Sequence, residues 1–303
     1  MPPETGDSQR RPADSRESCA RTVRDVLALS TRYLAERGVA TARLDAERLM
    51  AEVLKTERLE LYLEPERRLA EAELAALREL VRRRGAREPA QYILGKTGFY
   101  DLELAIDRRA LVPRRETELL VDRALELAHG KGVSALDLGT GCGCIALALA
   151  AGLPEGSRVV ATDISPECVE LARENAARAG LAEKIEFAVG DLFETTPPLR
   201  GPFDLIVANL PYIPSGEIAA LMPEVRDHEP RTALDGGPDG LEIIARAARS
   251  APQHLAAGGW LLLEVGEGQA EAAGAFLREA GLEVARPLRD AGGVERVVHG
   301  RKS

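Results

Sequence analysis

No stretch of this chain stays apolar for long enough to cross a bilayer, and the opening residues "MPPETGDSQRRPADSRES" lack the apolar segment of a secretory leader. A cytoplasmic protein, away from membranes, is expected. Cysteine is scarce: Cys19, Cys142, Cys144 and Cys168 are scattered without a disulfide framework, which fits a reducing compartment. No Cys/His cluster elsewhere could complete a tetrahedral site around Cys142 and Cys144, so no metal is expected. Positive charge is in deficit. Lys and Arg number 40 against 49 Asp and Glu, a net charge of -9, which argues against broad nucleic-acid binding because that affinity comes from Lys and Arg on phosphates. The basic run "RRRGAR" at 82–87 reads as a solvated helix end.

What is present points to more than one domain. A chain of 303 residues with 45% hydrophobic content exceeds one ordinary domain and has ample material for a core. Residues 1–18 are polar and read as a disordered tail. Residues 19–88 read as a helical N-terminal domain: Val23, Val26, Leu27, Ser30 and Leu34 recur at three and four, and Thr41 is placed to cap a second helix carrying Leu44, Leu49, Val53 and Leu54. That segment shows no clustered chemical groups, so its expected role is grip on a partner. Residues 89–112 read as a β-hairpin linker, with Gly95 and Gly98 as turn points.

From residue 113 onward strands and helices alternate. "SALDLG", "RVVATDIS", "KIEFAVGD", "FDLIVANLP" and "WLLLEVG" read as strands, separated by helices such as "CIALALAAG" and "PECVELARENAARAG". The expected fold is α/β, a doubly wound and mostly parallel sheet, with an antiparallel edge formed by "EVARPLRDAGGVERVVHG".

The first strand runs into Gly139, Thr140, Gly141, Cys142 and Gly143 and then into a helix. Glycines there let the backbone pass beneath a ligand and turn into a helix N-terminus. Because Gly141-x-Gly143-x-x-Ala146 also satisfies the dinucleotide pattern, this loop alone does not choose between a nicotinamide cofactor and S-adenosylmethionine (SAM). Asp163, ending the second strand, stands where a carboxylate takes a ribose diol, with Ser165 as the cap of the next helix. Asp191 ends the third strand, where an adenine would lie, with Leu192 able to cover its face.

"FDLIVANLPYIP" at 203–214 decides the matter. Asn209, Leu210, Pro211 and Tyr212 stand at the end of a buried strand beside the glycine loop. Hydride transfer has no use for an amide and a carbonyl there, whereas methyl transfer to an amide or amine nitrogen does. The Asn209 side-chain oxygen and the Leu210 carbonyl can accept the two N–H bonds of a planar NH2 group while Tyr212 packs on its plane.

With "QYILGKTGFY", "LVPRRETELLV", "DLGTGCGCIALALA", "DISPE", "GDLF", "NLPYIP", "DHEPRTALDGGPDGL" and "GGWLLLEVG" in view, the chain resembles the release factor glutamine methyltransferase family from about Thr22 to Arg301. The resemblance implies a SAM-dependent methyltransferase domain over 113–303 and methylation of the side-chain nitrogen (N5) of the glutamine in the Gly-Gly-Gln loop of peptide chain release factors. It also implies that Gly139 to Gly143 hold the methionine part of SAM, Asp163 the ribose, Asp191 and Leu192 the adenine, with Asn209 touching both cofactor and substrate. Asn209, Pro211 and Tyr212 would form the catalytic motif, and Asn209 to Tyr212 would bind the substrate glutamine.

Two positions depart from the family. It commonly has proline where this chain has Leu210 and Arg115; Leu210 keeps the acceptor carbonyl, and Arg115 bears on how its helix begins. Asn-Leu-Pro-Tyr also resembles adenine-N6 RNA methyltransferases, and a SAM-binding scaffold without catalysis is a further alternative. An amide nitrogen needs orientation rather than a base before attack, so His228 reads as a surface residue. The long segment 213–240 reads as a lid, and the expected protein is a monomer.

Overall fold

The computed structural model describes residues 21–128, 130 and 132–303. The polar tail at 1–18 lies outside them, and so does Cys19. The chain divides into two compact units, one ending at Gly85 and the other running Ala86–Ser303.

In the first unit α1 (Val23–Glu36) begins at Thr22. The Thr22 hydroxyl accepts the Asp25 N–H while the Asp25 carboxylate takes the Thr22 N–H, so donors that a first turn leaves unpaired are satisfied. Val23, Val26, Ser30 and Leu34 form its buried face. Next come α2 (Ala42–Leu54), the single turn α3 (Glu60–Leu63) and α4 (Glu71–Gly85). Thr41 does not cap α2 as its position suggests. Its hydroxyl donates instead to Asp45 Oδ2 at 2.8 Å, because that carboxylate is buried and can only accept.

Arg84 of α4 donates its Nε–H to the same oxygen at 2.8 Å. Glu47, only 2% exposed, accepts from Arg43, Arg58 and the Tyr62 hydroxyl. The helical unit therefore does hold clustered charged groups. They escaped the sequence pattern because each partner sits on a different turn or helix.

The second unit opens with α5 (Ala90–Leu94), β1 (Lys96–Phe99) and β2 (Leu102–Ala105). The hairpin is shorter than residues 89–112 because Pro89 starts a helix and Gly95, at φ +70, ends it. After a 3-10 turn at Arg115–Thr117, α6 (Glu118–Leu127) leads into β3 (Ser134–Leu138). The alternation continues through α7 (Cys144–Gly152), β4 (Arg158–Asp163), α8 (Pro166–Arg178), β5 (Ile185–Asp191), β6 (Glu194–Thr196) and β7 (Phe203–Ala208). It closes with α9 (Pro223–His228), α10 (Glu242–His254), β8 (Leu255–Glu264), α11 (Ala270–Glu279), β9 (Glu283–Val284), β10 (Leu288–Arg289) and β11 (Glu295–Arg301).

Among the described residues the main sheet runs β10-β11-β8-β7-β3-β4-β5-β6, with β9 on β11. Its five central strands are parallel, and β11 joins β8 antiparallel. Strand periodicity sorts the core into two layers. Ala135, Leu205 and Val207 pack with α6, α7 and α8, whereas Leu136, Leu138, Phe203, Ile206 and Ala208 pack with α10 and α11. A sheet covered on both faces follows. The structure adds β6 as a short antiparallel partner of β5, and β8 takes residues 255–257 that helical periodicity would assign to α10.

The Asp45–Arg84 pair is nearly inaccessible, with side chains 4% and 6% exposed. Arg84→Ala leaves a buried carboxylate without its cation, and the helical unit should lose roughly 3–5 kcal/mol. Urea unfolding checks this, and an unchanged midpoint would contradict it.

Candidate active site

β3 has β4 on one side and β7 on the other, and the chain runs outward through β4 and β5 before returning to β7 and β8. Loops diverge at such a reversal and leave a crevice at the carboxyl ends of the strands. A cavity of about 500 Å³ opens there. Its walls are the loops after β3, β4, β5 and β7, together with parts of 109–117 and 230–235.

Gly139 and Gly141 hold left-handed backbone at φ +74 and +55, so main chain faces the cavity with no side chain between. Thr140 and Cys142 complete that wall. Gly143 is placed elsewhere. A Cβ on it would stand 2.7 Å from Leu147 and 3.0 Å from Ala172, so this glycine serves the close packing of α7 on α8.

The loop is clamped by Asp137, which is 0% exposed. Its Oδ2 accepts the Thr140 hydroxyl at 2.6 Å and the Ala146 N–H at 3.1 Å, the latter in the first turn of α7. Burial pushes the Asp137 carboxyl up to about 7, against the pull of those two bonds.

Asp163 lines the cavity from the end of β4, accepting the N–H groups of Gly141 and Ser165, each at 2.9 Å. Burial raises its pKa while these bonds oppose the rise. Ser165 caps α8 by accepting the Cys168 N–H. Asp191 ends β5 and pairs with Arg246 of α10 at 2.6 Å. Leu192 lies in the cavity wall at φ +53, a conformation that costs a leucine about 1–2 kcal/mol and that the tight β5–β6 turn holds in place.

Asn209, Leu210 and Pro211 follow β7 into the same cavity. Asn209 Nδ2 donates to Thr117 Oγ1 at 3.1 Å. The turn is held from outside. Gln269 donates to the Tyr212 carbonyl at 2.8 Å and accepts the Gly266 N–H at 2.8 Å. A Cβ at Gly236 would stand 2.7 Å from the Pro211 carbonyl oxygen, and one at Gly240 would stand 2.2 Å from that of Tyr212. Glycine at these two positions is what lets the chain pass. Tyr212 is not part of the cavity lining; its hydroxyl meets Glu264 Oε1 at 3.4 Å, and burial pushes its pKa up to about 12.

The segment 213–240 supplies Pro230, Arg231, Thr232, Ala233 and Asp235 to the wall. Two ion pairs pin it: Arg87 with Glu224, and Arg114 Nη2 with both oxygens of Glu229 at 2.9 and 2.7 Å. His228 meets Arg108 at 3.4 Å and does not line the cavity. Arg114, Thr117, Asp137, Arg231 and Glu264 all lie in stretches quoted above, yet neither they nor Arg246 carry a role legible in the sequence. Among the described residues no three His, Cys, Asp or Glu side chains gather as metal ligands, and no helix is long and apolar enough to cross a membrane.

Residues 25–95 match the PrmC N-terminal domain and residues 135–228 a methyltransferase domain. The release factor glutamine methyltransferase of Geobacter sulfurreducens is 45% identical over 281 residues, covering 92% of this chain and 96% of that protein. The protein of the same name from Chlorobaculum tepidum is 42% identical, over 82% and 87% of the two chains. The chain belongs to the release factor glutamine methyltransferase family. Among solved structures, a methyltransferase from Pyrococcus furiosus aligns with a TM-score of 0.50 at 20% identity, over 67% of this chain and 90% of the other. The hMettl16 catalytic domain in complex with MAT2A 3'UTR hairpin 6 aligns at 0.53 and 18% identity, over 66% and 76%. These two likenesses establish the methyltransferase fold of this family member.

Asp137 generates a pH prediction. A carboxyl with a folded pKa of about 7 against ~3.9 when unfolded holds its proton more tightly in the folded state, so its contribution to stability falls as pH rises through that window and levels off above it. Asp137→Asn keeps an acceptor and removes the titration. Its melting temperature should fall less than that of the unaltered protein between about pH 5 and 7.5. Parallel curves would refute the assignment.

Proposed function

We propose that this chain transfers the methyl group of SAM to the side-chain amide nitrogen (N5) of the glutamine in the Gly-Gly-Gln loop of peptide chain release factors. One observation carries the reading: the Asn209 amide and the Leu210 residue share a single cavity with the glycine loop and Asp163. The residues fit SAM. Asp163 is a desolvated carboxylate with each oxygen already holding one backbone N–H, and its remaining lone pairs suit a diol. Gly139 and Gly141 offer bare backbone for the methionine part, with Thr140 and Cys142 beside them. Asp191, Leu192 and Ile243 offer a polar edge and apolar faces for adenine. Bound there, SAM supplies an electrophilic methyl on a sulfonium.

The protein's own task is orientation. An amide nitrogen shares its lone pair with its carbonyl and is a poor nucleophile. The Asn209 oxygen and the Leu210 carbonyl accept its two N–H bonds, fix the nitrogen toward the methyl group and stabilise the positive charge that grows on it. Pro211 stiffens the turn that presents them. Tyr212 supports the turn through its Glu264 contact and carbonyl bond. Gly143 assists the cofactor loop only by letting α7 pack.

The helical N-terminal unit serves recognition of the folded release factor. A net charge of -9 supports a protein substrate over nucleic acid. The enzyme works in the cytoplasm, as a monomer, without a metal.

Asn209→Ala should lower kcat by about 10²–10³-fold with release factor and SAM saturating, by analogy with loss of one preorganised hydrogen-bonding group. Rapid-quench measurement of methyl transfer reads this directly, and a rate equal to that of the unaltered enzyme would sink the acceptor role. Asp163→Ala should weaken SAM binding by roughly 1.5–3 kcal/mol through loss of charge-assisted hydrogen bonds. Calorimetry showing equal affinity would exclude the ribose contact.

A further inference from the structure

We propose that the groove between α1 and α4 receives an acidic, amphipathic helix of the release factor, and that this is where the helical unit grips its substrate. The proposal rests on the recognition role given to that unit above. Positive charge is spread unevenly along the chain. Residues 21–85 carry 14 Lys and Arg against 12 Asp and Glu, although the whole chain stands at -9. An acidic partner is therefore repelled by most of the protein and least opposed here.

A cavity of about 440 Å³ lies along the two helices. Val26, Leu29 and Tyr33 of α1 line it together with Leu74, Leu77 and Val81 of α4, each set recurring at three and four, so two apolar stripes form its floor. Val26, Leu77 and Val81 are buried, Tyr33 and Leu74 are half-buried, and Leu29 is exposed. Stripes at that spacing complement the i, i+3, i+4, i+7 anchors of an amphipathic helix. The rim decides its charge. Arg32 from α1, Arg78 and Arg82 from α4, and Arg21 ahead of α1 surround the floor, with Glu36 as the acid among them. Arg82 pairs with Glu79 at 2.6 Å and Arg32 lies 3.9 Å from Glu36, all four side chains being exposed. Among the described residues Arg21 and Arg78 have no carboxylate within ion-pair distance.

A helix with Asp or Glu on both sides of its apolar stripe fits this arrangement. Its stripe covers the floor, and its carboxylates meet guanidinium groups that can hold them through two parallel hydrogen bonds. A nucleic-acid strand fits less well. Bases need a free aromatic face, and the Tyr33 ring in the lining already carries the Arg37 guanidinium 3.6 Å from its centre. Charges at a rim act chiefly on association and its salt dependence, while the apolar floor supplies the buried area. None of these residues belongs to the methyl-transfer site, so the groove acts on KM.

The test measures methylation of full-length release factor by the full-length enzyme, with SAM saturating, for the double variant Arg21→Glu with Arg78→Glu and for Leu29→Asp. Both substitutions lie on the surface of the unit, and an unchanged melting temperature verifies the fold. The charge-reversed variant should raise KM for release factor about tenfold or more, with kcat and SAM affinity within about twofold. Raising salt from about 50 to 300 mM should raise KM for the unaltered enzyme and move that of the variant much less. Leu29→Asp should raise KM at every salt concentration. A short peptide carrying only the Gly-Gly-Gln loop should be methylated equally by all three enzymes. If release factor is methylated by the unaltered enzyme and both variants keep its KM, the groove is refuted and the proposed function stands. If the unaltered enzyme methylates neither release factor nor the peptide, the proposed function fails first and takes the occupant of the groove with it. Two further results overturn the proposal: a dimer of the unaltered protein in sedimentation that the variants abolish, which would make a second copy the occupant, or a single-stranded RNA whose binding the charge reversal removes while KM for release factor is unmoved.

Discussion

The register of β3 on β7 fixes the site. Leu136 pairs with Ile206 and Leu138 with Ala208 in a parallel ladder, so the residues one step beyond each strand, Gly139 and Asn209, emerge at the same level of the sheet. Because side chains alternate with a period of two, a slip of one residue would exchange Leu136 and Leu138 with Asp137 across the two core layers. The apolar packing of α10 and α11 on Leu136, Leu138, Ile206 and Ala208 therefore does more than stabilise the fold. It holds the glycine loop and the amide side by side, which no local interaction in either loop could do.

Around that junction, backbone is brought closer than side chains would allow. Gly236 and Gly240 pass against the carbonyls of Pro211 and Tyr212, and Gln269 ties the same turn to Gly266. These contacts leave Asn209 and Leu210 little freedom within the folded chain. Preorganisation of this kind matters most for a weak nucleophile, whose reaction gains from geometry what it lacks in basicity.

Much of this was legible in the sequence, and the reason is locality. The glycine loop, Asp163 and Asn209–Leu210–Pro211 each announce themselves within a few residues, and strand–helix alternation implies that they meet at one sheet edge. Thr117 and Glu264 could not be read that way. Thr117 looks like an ordinary residue before a helix and lies 92 positions from Asn209; Glu264 looks like the polar end of a strand, 52 positions from Tyr212. Asp137 was hidden differently, because an aspartate inside "ALDLG" is quoted with the strand and its two bonds arise only when the loop folds back. Gly143 and Tyr212 belong to recognisable motifs, yet neither lines the cavity: a Cβ on Gly143 would meet Leu147 and Ala172, and the Tyr212 hydroxyl meets Glu264.

The same logic bears on the segment 213–240. Its length suggests a lid, but its middle is tied by groups that are expensive to separate. Glu229 is buried and both its oxygens meet Arg114; Glu224 is buried against Arg87. Buried ion pairs add little net stability, because desolvation offsets their attraction, yet breaking one by removing its partner is costly. Opening this segment would strand two carboxylates at once. Burial already raises the pKa of Glu229, and Arg114 is the group that counters it. The wall formed by Pro230 to Asp235 is thus better understood as a fixed side of the cavity, set in place by charge pairing, with access to the amide left to the openings between the loops.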